Sequence, residues 1–157
     1  MGDRGNIVVI NKRYGSDDYE GVWLYSHWGG YRLKDSVEKV MARTGRIGDP
    51  TYLTRQIFCQ MIADSISNQS TGLSGMECID DELDPEKPAE AVAMLRTFIE
   101  EFMSETSFGI GTEGAGDQEY PTVCVDGDTG EVWYDASCPT TTKQIVENHY
   151  AKEGVTA

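Results

Sequence analysis

The hydrophobic period of this chain changes twice. It is strand-like from Ile7 to Trp28, turns helical from Leu33, and returns to a strand pattern from Phe108. Ile7-Val8-Val9-Ile10 is a continuous apolar run that suits a strand buried on both faces. Tyr14-Gly15-Ser16-Asp17-Asp18 is a turn by composition, and the β-formers Val22, Trp23, Leu24 and Tyr25 follow it. The two runs read as a β-hairpin, closed by Gly29-Gly30.

Leu33, Val37, Val40 and Met41 recur at helical spacing, with Gly45 as the stop. Asp49-Pro50 is a helix start, because Asp caps free amides and Pro fits the first turn. Behind it Leu53, Ile57 and Met61 form one row, and Phe58, Ile62 and Ile66 the next. Residues 68–88 lose all periodicity and read as a long acidic surface loop. A third helix is expected over residues 88–104, with Ala91, Leu95, Phe98 and Phe102 on one face. Strands are expected at Phe108-Gly109-Ile110-Gly111-Thr112 and over residues 120–126 and 131–135, then a final helix over 139–152. The order β-β-α-α-α-β-β-β-α predicts a single α+β domain over residues 1–157. Its sheet is expected to be antiparallel, of about five strands, with the helices packed on one face. An uncovered edge at Ile7 to Ile10 would invite a homodimer.

Charge divides the chain as sharply as periodicity does. Residues 77–135 hold 17 acidic side chains against Lys87 and Arg96, a net of −15, whereas residues 1–76 net +1. Such a field repels nucleic-acid phosphates and attracts basic proteins. The competing reading is that the acidity serves solubility or high salt. Asp80, Asp81, Glu82 and Asp84 are the densest acidic group and the candidate partner-binding residues.

Residues 23–32 concentrate binding-capable side chains: Trp23, Tyr25, His27, Trp28, Tyr31 and Arg32. Alternation sends Trp23, Tyr25 and His27 to one face, and Val22, Leu24, Ser26 and Trp28 to the other. Rings on an uncovered face can stack a base or grip an apolar partner, and Arg32 can pair a phosphate. If helices cover that face, the same rings are core. Gly29-Gly30 would let a ligand or another backbone approach closely.

No catalytic residue, metal site or cofactor is expected. Cys59, Cys78, Cys124 and Cys138 form no Cys-x-x-Cys pair, and Cys59 and Cys124 read as small buried hydrophobes. His27 and His149 lack metal-ligand spacing. Asp126-Gly127-Asp128-Thr129-Gly130 has the opening of a calcium loop without its distal Glu, and Asp-Gly between strands is a hairpin signal. The glycines at 109, 111 and 114 follow a helix rather than a strand, which argues against a dinucleotide fingerprint. No apolar run reaches the length of a membrane span, and the opening residues lack a signal-peptide layout, so a cytoplasmic location is expected.

Arg4-Gly5-Asn6-Ile7-Val8-Val9 and Leu24-Tyr25-Ser26-His27-Trp28-Gly29-Gly30 resemble a group of small uncharacterised proteins of phages and of prokaryotes carrying phage-like genes. Those share an Arg-Gly-Asn-Ile opening and a Leu-Tyr-x-His-Trp-Gly-Gly strand end. The resemblance extends to Ile57-Phe58-Cys59 and to Gly109-Ile110, and it carries no catalytic residue. It implies a phage accessory protein in the host cytoplasm. The expected function is a non-enzymatic acidic binding protein that inhibits a basic host or defence factor, with imitation of nucleic-acid charge as one means. The alternatives are a nucleotide-sequestering protein or hydrolase using the aromatic-His segment, and a virion structural or salt-adapted protein.

Overall fold

The computed structural model describes residues 3–67, 93, 100 and 108–153. Its strands are β1 (Gly5–Lys12), β2 (Tyr19–Ser26), β3 (Phe108–Gly111), β4 (Thr122–Asp126) and β5 (Val132–Asp135). Its helices are α1 (Leu33–Met41), α2 (Pro50–Ser67) and α3 (Thr142–Glu153), and Gly30–Arg32 forms a 3-10 turn before α1. The five strands make one sheet in the order β3-β2-β1-β4-β5, an α+β fold. Of the helix expected over residues 88–104, Ala93 and Glu100 are described, and both are helical. The acidic loop expected over residues 68–88, with Asp80, Asp81, Glu82 and Asp84, lies outside the described residues.

Three of the four strand pairings are antiparallel, and β1 with β4 is parallel. The expectation of a wholly antiparallel sheet is corrected there. The chain returns from the helices as β3, on the outer side of β2, and only then crosses to the far side of β1 as β4; with no tight turn joining β1 to β4, the two can pair in parallel. A signal for this was present in the sequence. Val123-Cys124-Val125 repeats the continuous apolar character of Ile7 to Ile10, and parallel strands are buried on both faces. The same fact corrects the expected dimer edge: β1 lies at the centre of the sheet, with β2 and β4 beside it.

Helices cover both faces, not one. Ile7, Val9, Leu24, Val123 and Val125 pack on Leu33, Val37 and Val40 of α1 and on Leu53, Ile57 and Met61 of α2. On the other face Val8, Ile10, Trp23 and Cys124 pack on Ile145 of α3. The physical reason is in β1 itself. Alternation sends Val8 and Ile10 away from α1 and α2, and each apolar side chain left wet would forgo roughly 1.5–3 kcal/mol of burial. Cys124 is buried as expected, but Cys59 is exposed on the outer side of α2.

Asp49 starts α2 as expected: its carbonyl accepts the Leu53 N–H at 3.0 Å and its Oδ1 the Tyr52 N–H at 3.3 Å. α1 ends at Met41, ahead of Gly45. Residues 127–130 form the expected hairpin turn. Asp126 Oδ1 accepts the Asp128 and Thr129 N–H groups at 2.9 and 3.0 Å, and Asp128 Oδ2 accepts the Lys12 N–H at 2.8 Å. Those carboxylates hold the turn itself, and among the described residues no acidic, His or Cys cluster could hold a metal.

Gly29 adopts φ 76°, a left-handed turn that favours glycine, and Gly30 then lies against the start of β1. A Cβ on Gly30 would sit 2.7 Å from the Arg4 carbonyl carbon, so the close-approaching backbone is the chain's own. Asn6, wholly buried, ties the segment before β4 onto β1. Its Nδ2 donates to Ala115 O at 2.9 Å and to Gln118 Oε1 at 2.8 Å, and its Oδ1 accepts the Ala115 N–H at 3.1 Å. Truncating Asn6→Ala strands those groups in the interior. The expected cost is about 2–3 kcal/mol, read as a Tm lowered by roughly 4–12 °C in a thermal melt.

Candidate binding surface

The aromatic segment is divided by the parity of β2. Trp23 is 1 % exposed beneath α3, and its Nε1 donates to Thr142 Oγ1 at 3.1 Å. Its ring is core and forms no part of a binding platform, because α3 covers the face to which alternation sends it. Tyr25 shares that face nearer the strand end and is half-buried. Its hydroxyl and His27 Nδ1 lie 3.0 Å apart. Burial and the Asp117 charge push the Tyr25 phenol above its ordinary value, opposed by Arg4.

Beyond β2 the rings reach solvent. His27 meets Trp28 edge to face at 5.0 Å, and Trp28 is 43 % exposed. Tyr31 is 53 % exposed and lies 6.2 Å from Tyr120. The Arg32 guanidinium covers the Tyr31 ring at 4.8 Å, and its Nε donates to Tyr31 Oη at 2.7 Å. Five of the six candidate residues therefore gather at one end of the sheet, and the sixth, Trp23, is interior. Hydrogen bonding of Tyr120 to Asp3, burial, and the charges of Asp3 and Glu119 raise the Tyr120 phenol.

Behind Trp28 lies a cavity of about 20 Å³, bounded by Ser26, Arg32, Ser36, Asp64 and Phe108. That volume holds a single water and excludes a nucleobase. Asp64, in its wall, was not singled out in the sequence, where one Asp on an apolar helix face carries no motif. Its carboxylate accepts from Ser36 Oγ at 2.6 Å, Lys39 Nζ at 2.7 Å and Gln60 Nε2 at 2.8 Å. Burial alone would raise the Asp64 carboxyl, but the bonds from Lys39, Ser36 and Gln60 and the Lys39 charge hold it below its ordinary value.

The two histidines stand far apart in the sheet. His27 lies beside the start of β1, whereas His149 of α3 stacks on Trp133 at 3.8 Å and meets Glu131 at 3.0 Å near the β4–β5 turn. There Tyr150 donates its hydroxyl to the buried Asp126, and burial and the Asp126 bond push the phenol far up. Neither contact was legible from spacing, since each joins α3 to a strand or turn well before it in the chain.

No family model, curated protein or solved structure matches this chain.

The acidic asymmetry persists among the described residues. Residues 108–135 carry seven carboxylates and no Lys or Arg. Glu113, Asp117, Glu119, Asp128 and Glu131 of these are exposed, and Asp117 pairs with Arg4. No described helix is long and apolar enough to cross a membrane.

The Asp64 network has a pH signature. A carboxyl held low when folded adds stability that is complete above its unfolded value and is lost as the pH falls through the folded one. The stability difference between the native protein and Asp64→Asn should thus be flat above about pH 5. It should shrink as the pH drops below the ordinary value of 3.8. Urea titrations of both proteins across that range read it, and a difference that grows toward acid would contradict the network.

Proposed function

We propose that this protein is a non-enzymatic acidic binding protein whose partner is a basic protein. The observation that supports it best is the run of residues 108–135, with seven carboxylates, five of them exposed, and no cation of its own. Net charge so placed steers a basic partner and raises its association rate. The exposed Trp28 and Tyr31 beside it are residue types that dominate contact energies in protein interfaces. The resemblance to phage proteins supports an encounter in a host cytoplasm, with a host or defence factor as the target. Two interior carboxylates are engaged in structural bonds: Asp64 with Ser36, Lys39 and Gln60, and Asp126 with its turn and Tyr150.

The nucleotide reading is weaker on two counts. The space behind Trp28 offers about 20 Å³, and the Arg32 guanidinium is turned onto Tyr31. A salt-adapted role draws on the same acidity, and a virion role has no particular observation in its favour.

Affinity capture from a bacterial lysate at about 50 mM and about 500 mM salt tests the reading, because screening between those strengths removes long-range attraction. The expected outcome is a stoichiometric basic protein, retained at low salt and released at high salt. Converting Asp80, Asp81, Glu82 and Asp84 to their amides should weaken that capture by roughly tenfold or more. Undiminished capture by this variant would remove those four residues from the account. A Tm that climbs steeply with salt, with no partner retained, would favour salt adaptation instead.

A further inference from the structure

Among the described residues β5 ends the sheet, with one side paired to β4 and no described strand on the other. On its inner side Cys124 stands opposite Trp133 and Val125 opposite Val132, and the Asp126 N–H donates to Glu131 O at 2.9 Å. Opposed residues in an antiparallel ladder alternate between pairs that exchange hydrogen bonds and pairs that do not. The Asp126–Glu131 bond puts residues 131 and 133 in the bonded class. Val132 and Tyr134 therefore turn their N–H and C=O groups outward, and no described hydrogen bond engages these four backbone groups. An open groove of about 620 Å³ runs beside this edge, lined in part by Trp133, Tyr134, Ser137, Asn148 and His149. Edge strands are commonly guarded by Lys, Pro or a bulge. Val132–Asp135 carries neither Lys nor Pro and pairs β4 in unbroken register.

The charge around the edge selects what docks there. Glu131 and Asp135 lie on the strand side that faces α3, where they meet His149 and Asn148. On the other side Glu38 accepts the Tyr134 hydroxyl, and Asp35 lies close enough to act on the same phenol. Among the described residues Lys34 stands against these carboxylates, placed over the Tyr134 ring at 5.0 Å and paired with Glu38. A second copy is disfavoured by the register. Bonding Val132 of one copy to Tyr134 of another sets Glu131 opposite Asp135 twice, with Cα atoms about 4.5 Å apart. Like charges opposite one another destabilise a strand pair.

We propose that β5 accepts, as an added strand, an extended segment of a basic protein bearing Lys or Arg at two positions four residues apart, opposite Glu131 and Asp135. The docking mode is strand addition, in which main-chain bonds give affinity and alternate side chains give specificity. It rests on the reading of this protein as a binder of a basic partner, and it names the surface used.

The test uses the full chain and an end-blocked probe peptide, Thr-Lys-Val-Thr-Val-Lys-Thr, in calorimetric titration, with hydrogen exchange of the Val132 and Tyr134 amides followed by NMR. The expected result is binding that slows exchange at both amides and that is lost when Glu replaces both Lys. N-methylating the peptide amides that would face β5 should weaken binding by roughly tenfold. The double variant Glu131→Gln, Asp135→Asn should weaken it similarly. The methylated peptide leaves the protein untouched, so it decides the matter even if the double variant folds poorly. Equal binding of the methylated peptide, with unchanged exchange at Val132 and Tyr134, overturns strand addition while leaving the basic-partner reading in place. Absence of probe binding alongside salt-released capture of a basic protein overturns the proposal alone, and absence of both overturns that reading as well. A dimer of this chain that protects the same two amides also overturns it.

Discussion

The double burial of β1 is the constraint from which the rest of the architecture follows. Ile7 and Val9 face one way, Val8 and Ile10 the other, and all four are 0–1 % exposed. A strand in that state needs a neighbour on each edge and a layer on each face. β2 and β4 supply the edges, α1 and α2 one layer, and α3 the other. Asn6, at the head of the same strand, fastens the segment leading into β4 through the Ala115 backbone and Gln118. One eight-residue strand thereby organises both layers and the parallel pairing beside it.

That arrangement also sorts the aromatic segment. β2 lies next to β1 and shares its two-sided environment at Trp23 and Leu24. Trp23 therefore falls under α3, while the chain beyond Ser26 escapes the sheet and leaves Trp28 and Tyr31 exposed. The rings that reach solvent do so because they stand past the last paired residue, not because they alternate onto a bare face. The left-handed Gly29 and the side-chain-free Gly30 hold that exit against Arg4 and Gly5.

Electrostatics follow a different division. The cations lie largely in the first half of the chain, and the carboxylates of residues 108–135 have few of them in reach. Arg4 meets the exposed Asp117 and Lys39 meets the buried Asp64, whereas Glu113 and Glu119 stand exposed. Exposed charge of one sign contributes little to stability, and its physical effect is on approach and association. The β5 edge, set among such carboxylates, is where the proposed main-chain and charge complementarity would coincide.

The sequence by itself determined the elements. The continuous apolar run at β1, alternation at β2, helical spacing in α1 and α2, the Asp49-Pro50 start and the Asp-Gly turn at residues 126–127 are local signals, produced by neighbouring residues acting on their own backbone. It determined the charge division and the aromatic cluster as well. Only the tertiary structure decided which strands are neighbours, that β1 and β4 run parallel, and that α3 covers the second face. The same holds for the site. Spacing brought Tyr25, His27, Trp28, Tyr31 and Arg32 together, but whether Trp23 joined them depended on a helix more than 100 residues later. The contacts of Asp64, Asp126 and His149 were likewise hidden, since each joins segments whose separation in sequence carries no period. Local propensity acts within a few residues, whereas burial is a property of surfaces that meet only once the chain has folded.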